Sequence, residues 1–166
     1  MKRLITALVA FTLLTGCSTP ADTPKTHSQA KSDQFENLLQ ECEAVTPEQI
    51  AETVGSGSAT RYFFGAVCMW TVATSLGEID VTFGWFENNA LLHEREVATK
   101  LGYRVTTVAV DDTAGFSALR PGDPPTCGVS ATYSGVITWW VQSVDGGPDP
   151  CDAAAKLVAL TLMRNL

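Results

Sequence analysis

The sequence predicts an α+β domain: an antiparallel, twisted β-sheet of about six strands with helices packed against it, in the order ααββαββββα, stapled by two disulfides. Three observations lead there. Several short segments alternate apolar and polar residues with period two, the mark of half-buried strands. Other stretches switch to helical period, and one opens with a capping-box pattern. Compact turn signals such as Asp111-Asp112-Thr113 and Ser134-Gly135 separate successive strands, which suits an antiparallel sheet.

The chain opens on a different kind of segment. Lys2 and Arg3 precede an apolar run of eleven residues, Leu4 to Leu14. A membrane-spanning helix needs roughly 20 apolar residues, so the run fits the apolar region of a secretory signal peptide instead. It ends in Leu14-Thr15-Gly16-Cys17, which resembles the lipobox of bacterial lipoproteins. The resemblance implies that Cys17 receives a diacylglyceryl group and further acylation such as palmitate. It also implies cleavage between Gly16 and Cys17, the small glycine letting a peptidase reach the bond. Residues 1–16 are then a signal peptide, and the mature protein is lipid-anchored on the extracytoplasmic side of the cell membrane. One acyl chain binds only marginally, whereas two or three hold stably, at about 0.8 kcal/mol per buried methylene.

Residues 17–33 read as the acylated cysteine and a flexible tether. The stretch "STPADTPKTHSQAKS" at 18–32 carries no large apolar side chain, so it has nothing to bury against a core. Its fifteen residues reach about 50 Å when extended and roughly 20 Å as a coil. His27, alone in this tether, is not read as a metal ligand.

Residues 34–166 form the expected single domain. Phe35, Leu38 and Leu39 give a first helix, beginning near Gln34, its apolar face. Thr46 as N-cap, Pro47 at the first helical position and Gln49 three residues past the cap open a second helix, which Gly55 ends. "GSGSAT" at 55–60 lacks the G-K-[ST] ending of a phosphate loop, so a mobile connection is expected there. In "AVCMWTVAT", Cys68, Trp70 and Val72 share one strand face. In "IDVTFGWF", Val81, Phe83 and Trp85 do so, with Gly77 in the preceding turn. Residues 90–101 return to helical period, with Leu91, Leu92, Val97 and Leu101 as the expected core stripe and Gly102 as the stop. Four strands follow over 103–110, 114–119, 127–133 and 136–143. A final helix covers 152–164, with Asp152 at its positive end.

Four cysteines lie in this domain: Cys42, Cys68, Cys127 and Cys151. An even number in an exported domain points to disulfides. Zinc is the rival, but the sequence has no C-x-x-C and no histidine near any of the four. Three connectivities are possible and the sequence does not select among them. Pairing neighbours, Cys42–Cys68 and Cys127–Cys151, is the expectation; each closes a loop of about 25 residues, worth roughly 3 kcal/mol in the chain-entropy model.

Together, "CMW", "VTFGWF", "HEREVATKLGY", "DDTAGFSAL", "CGVSATYSGVITWWVQS" and "DPCDAAAKLVALTLMRNL" resemble actinobacterial, mycobacterial-type lipoproteins of the LprB type, a domain of unknown function. The resemblance covers residues 36–166 in order, with a lipobox ahead of it. It implies an envelope location and a disulfide-stapled domain, and brings no agreed activity and no catalytic residues.

Composition narrows the functional classes. The chain carries 11 basic and 18 acidic residues, a net charge of −7; without residues 1–16 the balance is −9. Such a surface repels phosphate backbones, so nucleic acid is not an expected partner. Beyond the anchor, anionic lipid is disfavoured as well. Catalytic signals are weak. His93 in "HERE" would need a second histidine at 97 for H-E-x-x-H, and 97 is Val. No G-x-S-x-G supports a serine nucleophile. Asp145, Asp149 and Asp152 do not follow EF-hand spacing. Glu78 and Asp80 share a strand face, as on any half-solvated strand. No enzyme, cofactor or metal site is therefore expected.

The tandem tryptophans say more. Alternation puts Ile137, Trp139 and Val141 on one face and Val136, Thr138, Trp140 and Gln142 on the other. A large aromatic on a mostly polar face suits a ligand or partner contact. Trp140, with its neighbour Trp139, is the candidate binding surface of a non-enzymatic binding or assembly module for an envelope lipid, glycan or protein. The alternative is a carrier of an apolar ligand, in a cavity lined by Phe83, Trp85, Phe116 and Trp139. A hydrolase centred on His93 ranks third.

Overall fold

A computed structural model describes residues 42–65, 67–86 and 91–164. The signal peptide, Gly16, Cys17, the tether and the helix expected near Gln34 lie outside the described residues. The elements are α1 (Pro47–Thr53), β1 (Ser58–Phe64), β2 (Val67–Thr74), β3 (Gly77–Phe86) and α2 (Leu91–Lys100). After them come β4 (Arg104–Val110), β5 (Thr113–Arg120), β6 (Thr126–Thr132), β7 (Val136–Gln142) and α3 (Pro150–Leu162).

All seven strands join one open antiparallel sheet in the order β1-β2-β3-β7-β6-β5-β4. The chain lays down a three-stranded meander, crosses to the far edge, and returns through a four-stranded meander whose last strand pairs with β3. That pairing sets Phe83 opposite Trp139 and Thr82 opposite Trp140. The fold class is the α+β sheet expected from the sequence, and β1 makes the strand count seven. β1 starts within the segment read as a mobile connection. Ser56 and Gly57 turn with φ of 73° and 135°, which shortens the link to the four residues 54–57. Position 57 accepts only glycine, since a Cβ there would stand 2.1 Å from the Ala73 carbonyl oxygen. The aromatic "RYFF" that follows supplies strand propensity.

The main core lies between one sheet face and the helices α1 and α3. Trp70, Phe83 and Trp139 meet at its centre, Trp70 stacked on Trp139 at 5.5 Å and Phe83 tilted against it at 4.8 Å between ring centroids. Helix α3 closes the layer with Ala153, Ala154, Leu157 and Val158. One polar link crosses it: the Trp139 indole N–H donates to Thr161 Oγ1 at 2.9 Å, and that hydroxyl donates to the Leu157 carbonyl. Trp139 is 1% exposed, which corrects its assignment to the candidate binding surface. The period-two alternation that turns Trp140 outward turns Trp139 inward.

The helix entries follow their local chemistry. Thr46 Oγ1 accepts from the Gln49 amide while Gln49 Oε1 accepts from the Thr46 amide, the reciprocal capping box. Helix α3 starts at Pro150, two residues earlier than expected, because Asp149 Oδ1 caps it by accepting from the Cys151 and Asp152 amides at 2.9 Å. The disulfides are Cys42–Cys68 and Cys127–Cys151, with Cα separations of 5.8 and 5.0 Å. The first ties the entry to α1 onto β2. The second ties β6 to the first turn of α3.

Helix α2 departs from its expected stripe. Leu92 is 81% and Leu101 59% exposed, Val97 is exposed too, and the inward residue is Ala98 beside half-buried Leu91. Leu92 and Val97 are five residues apart and stand about 140° from each other around the helix, so one face cannot bury both. The direction α2 faces follows from the topology. It carries the chain from the sheet centre to the β4 edge, across the face opposite α1 and α3, where it covers Phe116 and Ala118.

Candidate functional site

Among the described residues, α2 shields only the β4–β6 side of the second sheet face and no element covers the β1–β3 side, so Trp140 stands at the step between the halves. Two features fix its indole. On β6, Gly128 is paired with Trp140, and a Cβ at position 128 would meet indole carbons at 2.5 to 2.7 Å. Glycine therefore lets the ring lie over the backbone of the adjacent strand. From the α2 side, Tyr103 meets the ring edge-on, with centroids 5.9 Å apart at 75°. Trp140 is half-buried. The indole N–H of Trp85 donates to the Tyr133 carbonyl at 3.2 Å. That of Trp140 has no acceptor among the described residues and reaches solvent.

A groove of about 250 Å³ opens beside the indole on the uncovered half. Its far wall is Tyr62 on β1, where a bulge between Arg61 and Phe63 breaks the register. Met69 and Thr82 contribute to the groove from β2 and β3. Asp80 supplies a carboxylate that accepts from the Thr71 hydroxyl at 3.2 Å. From β5, Arg120 supplies a guanidinium whose Nη2 donates to Thr126 Oγ1 at 3.1 Å and to Gln142 Oε1 at 3.2 Å. Asp80 and Arg120 line the same groove without pairing: among the described residues the ion pairs are Arg61–Glu43 and Lys100–Glu96. The Tyr62 phenol is held above its ordinary pKa, first by partial burial and second by the Asp80 carboxylate. It therefore stays neutral and can donate a hydrogen bond across the physiological range.

Two further depressions frame this one. On the other side of Trp140, a space of about 180 Å³ runs beneath α2, bounded by Val97, Leu101, Tyr103 and Phe116. At its floor Ser130 and Thr138 share a buried hydrogen bond of 2.8 Å. A space of about 300 Å³ lies among turns at the other end of the core, next to Val54, Leu76 and Gly146. It has no charged side chain in its lining, so the groove beside Trp140 offers the richer chemistry.

The remaining candidates are dispersed. His93 is exposed on α2 and has no polar partner among the described residues; the nearby Glu96 pairs with Lys100 at 2.6 Å. Asp149 is occupied in capping α3. Among the described residues, no group of three His, Cys, Asp or Glu side chains converges to hold a metal ion. The four residues proposed to line a carrier cavity do not share a face. Phe83 and Trp139 sit in the main core with Trp85 packed against it, while Phe116 lies under α2 on the opposite side. Among the described residues, no helix is long and apolar enough to cross a membrane.

Residues 12–164 match the family described as "Protein of unknown function (DUF3558)". The chain belongs to that family. Neither the curated proteins nor the solved structures include a match to it. The DUF3558 match takes in Cys17, every described strand and helix, and all the groove residues. The description supplies no activity, so the groove's chemistry rests on its own geometry. Of that groove, sequence reasoning found Trp140 and missed the roles of Tyr62, Asp80, Arg120 and Gln142. These come from four strands, and no local pattern records which strands adjoin.

Proposed function

We propose that this chain is a cell-envelope lipoprotein, anchored through acylated Cys17 on the extracytoplasmic side of the membrane, that works as a non-enzymatic binding module. The short apolar leader and its Leu-Thr-Gly-Cys ending support the anchor. The two disulfides suit an oxidising compartment. The likeness to LprB-type lipoproteins of actinobacteria accords with both.

The observation that carries the binding role is Trp140. Its ring is seated over Gly128 and against Tyr103, yet its N–H stays open beside a groove holding an unpaired acid and an unpaired base. Pre-placed aromatic area with few rotamers to lose is what a recognition surface gains from tryptophan. Flanking polar groups then fix a ligand's orientation.

Two measurements test the reading. Mass spectrometry of the amino-terminal peptide should find Cys17 acylated, and Cys17→Ser should release the protein from membranes. Photocrosslinking in intact envelopes should capture a ligand with the native protein and lose it with Trp140→Ala at unchanged thermal stability. Undiminished capture by that variant would defeat the binding assignment.

A further inference from the structure

We propose that the groove beside Trp140 is a subsite for one uncharged sugar ring of a longer glycan; this rests on the reading of that face as the binding surface. Four observations carry it. At about 250 Å³ the groove is smaller than the roughly 300–1,000 Å³ of sites for drug-sized molecules, a size for a single ring. Its walls are aromatic: the Trp140 indole on one side and half-exposed Tyr62 on the other. The negative face of an aromatic ring attracts the C–H face of a pyranose.

Between those walls the polar groups are mixed in sign and type. Asp80 accepts, while the Arg120 nitrogens left over from the Thr126 and Gln142 bonds can donate; the Trp140 N–H, on the ring that borders the groove, is a further donor open to solvent. Vicinal hydroxyls, each able to donate and accept, match such a set. One carboxylate and one guanidinium cancel, so nothing in the groove selects a charged ligand. An acyl chain would cover both ions while leaving each without a counter-charge and with part of its hydrogen-bonding capacity unmet, at a desolvation cost. A phosphate would face the Asp80 carboxylate. Finally, among the described residues the groove lies on an open sheet face rather than in a closed cavity, which leaves room for a chain to continue beyond the bound ring.

The test uses the full acylated chain in detergent micelles. Saturation-transfer NMR and tryptophan fluorescence are recorded against tetrasaccharides of mannose, galactose, arabinose and N-acetylglucosamine, with a uronic-acid tetrasaccharide as the anionic comparison. At least one neutral oligomer should bind saturably, with little dependence on salt. Trp140→Ala should weaken it more than tenfold, Trp140→Phe much less, and Asp80→Asn and Arg120→Gln roughly tenfold each, the loss of one charge-assisted hydrogen bond. His93→Ala should leave binding unchanged. The proposal fails if no neutral sugar binds at about 10 mM, if the uronic acid is preferred, or if the Asp80 and Arg120 variants, which alter only exposed groups, bind like the native protein. Failure here alongside Trp140-dependent crosslinking to a protein or lipid would remove the glycan and leave the binding surface standing. Loss of both would remove the surface itself.

Discussion

Replacing Gly128 by alanine puts a methyl carbon 2.5 Å from Trp140 Cε2 and 2.6 Å from Cδ2. Ordinary contact between such atoms is about 3.5–4.0 Å, so the indole must lift by roughly an ångström or β6 must shift away from β7. Overpacking of this kind costs about 1–3 kcal/mol. The backbone at 128 is not left-handed, so the cost is steric, and it vanishes once the indole is gone. With Trp140→Ala already present, Gly128→Ala should be neutral or stabilise by up to about 1 kcal/mol, because alanine restricts the unfolded chain more than glycine does. The coupling in the double-mutant cycle is therefore about 1–4 kcal/mol, measurable from urea unfolding of the four proteins. At roughly 4 °C per kcal/mol for a domain of this size, the single Gly128 variant should also melt several degrees lower. Equal effects of Gly128→Ala in the two backgrounds would refute the seating of Trp140 over β6, and with it the fixed platform on which the binding role depends.

Other consequences follow from the core. Thr161→Val removes the acceptor of the buried Trp139 N–H and should cost about 1–3 kcal/mol in urea unfolding, while Thr161→Ser keeps the hydroxyl and most of the stability. Replacing Cys127 and Cys151 together by alanine opens a loop with a sequence separation of 24 and should cost about 3 kcal/mol, read as a fall in the urea midpoint against the oxidised native protein. Asp149→Ala strips the α3 cap of its only side-chain acceptor and should cost about 1 kcal/mol, restored in large part by Asp149→Asn.

Most elements were legible because their causes are local. Period-two alternation marks β2, β3 and β7: it selects the buried Cys68, Trp70 and Val72, Val81 and Phe83, and Ile137, Trp139 and Val141. Trp85, however, is only half-buried, and Val136 and Thr138 on the other face of β7 are buried too. Thr46, Pro47 and Gln49 announce α1 through hydrogen bonds three residues apart. Asp111 and Asp112 form the β4–β5 turn with φ of 46° and 64°, in the left-handed region that Asp tolerates. Helix α2 was harder. Its apolar residues are spread around the cylinder, so periodicity gave its extent and misjudged its inward face. β1 was obscured by the glycines and serines leading into it.

The groove belongs to a different level. Chain-local physics already contained the outward turn of Trp140, the four cysteines and the lipobox-like start, since each depends only on residue type and near neighbours. It did not contain the antiparallel pairing of β3 with β7, which brings residue 82 beside 140. Nor did it contain the crossing of α2 over half of one face, or the meeting of Tyr62, Asp80, Arg120 and Gln142 at that half's edge. Those follow from strand order, and strand order is set by the total apolar area buried when all the layers close at once.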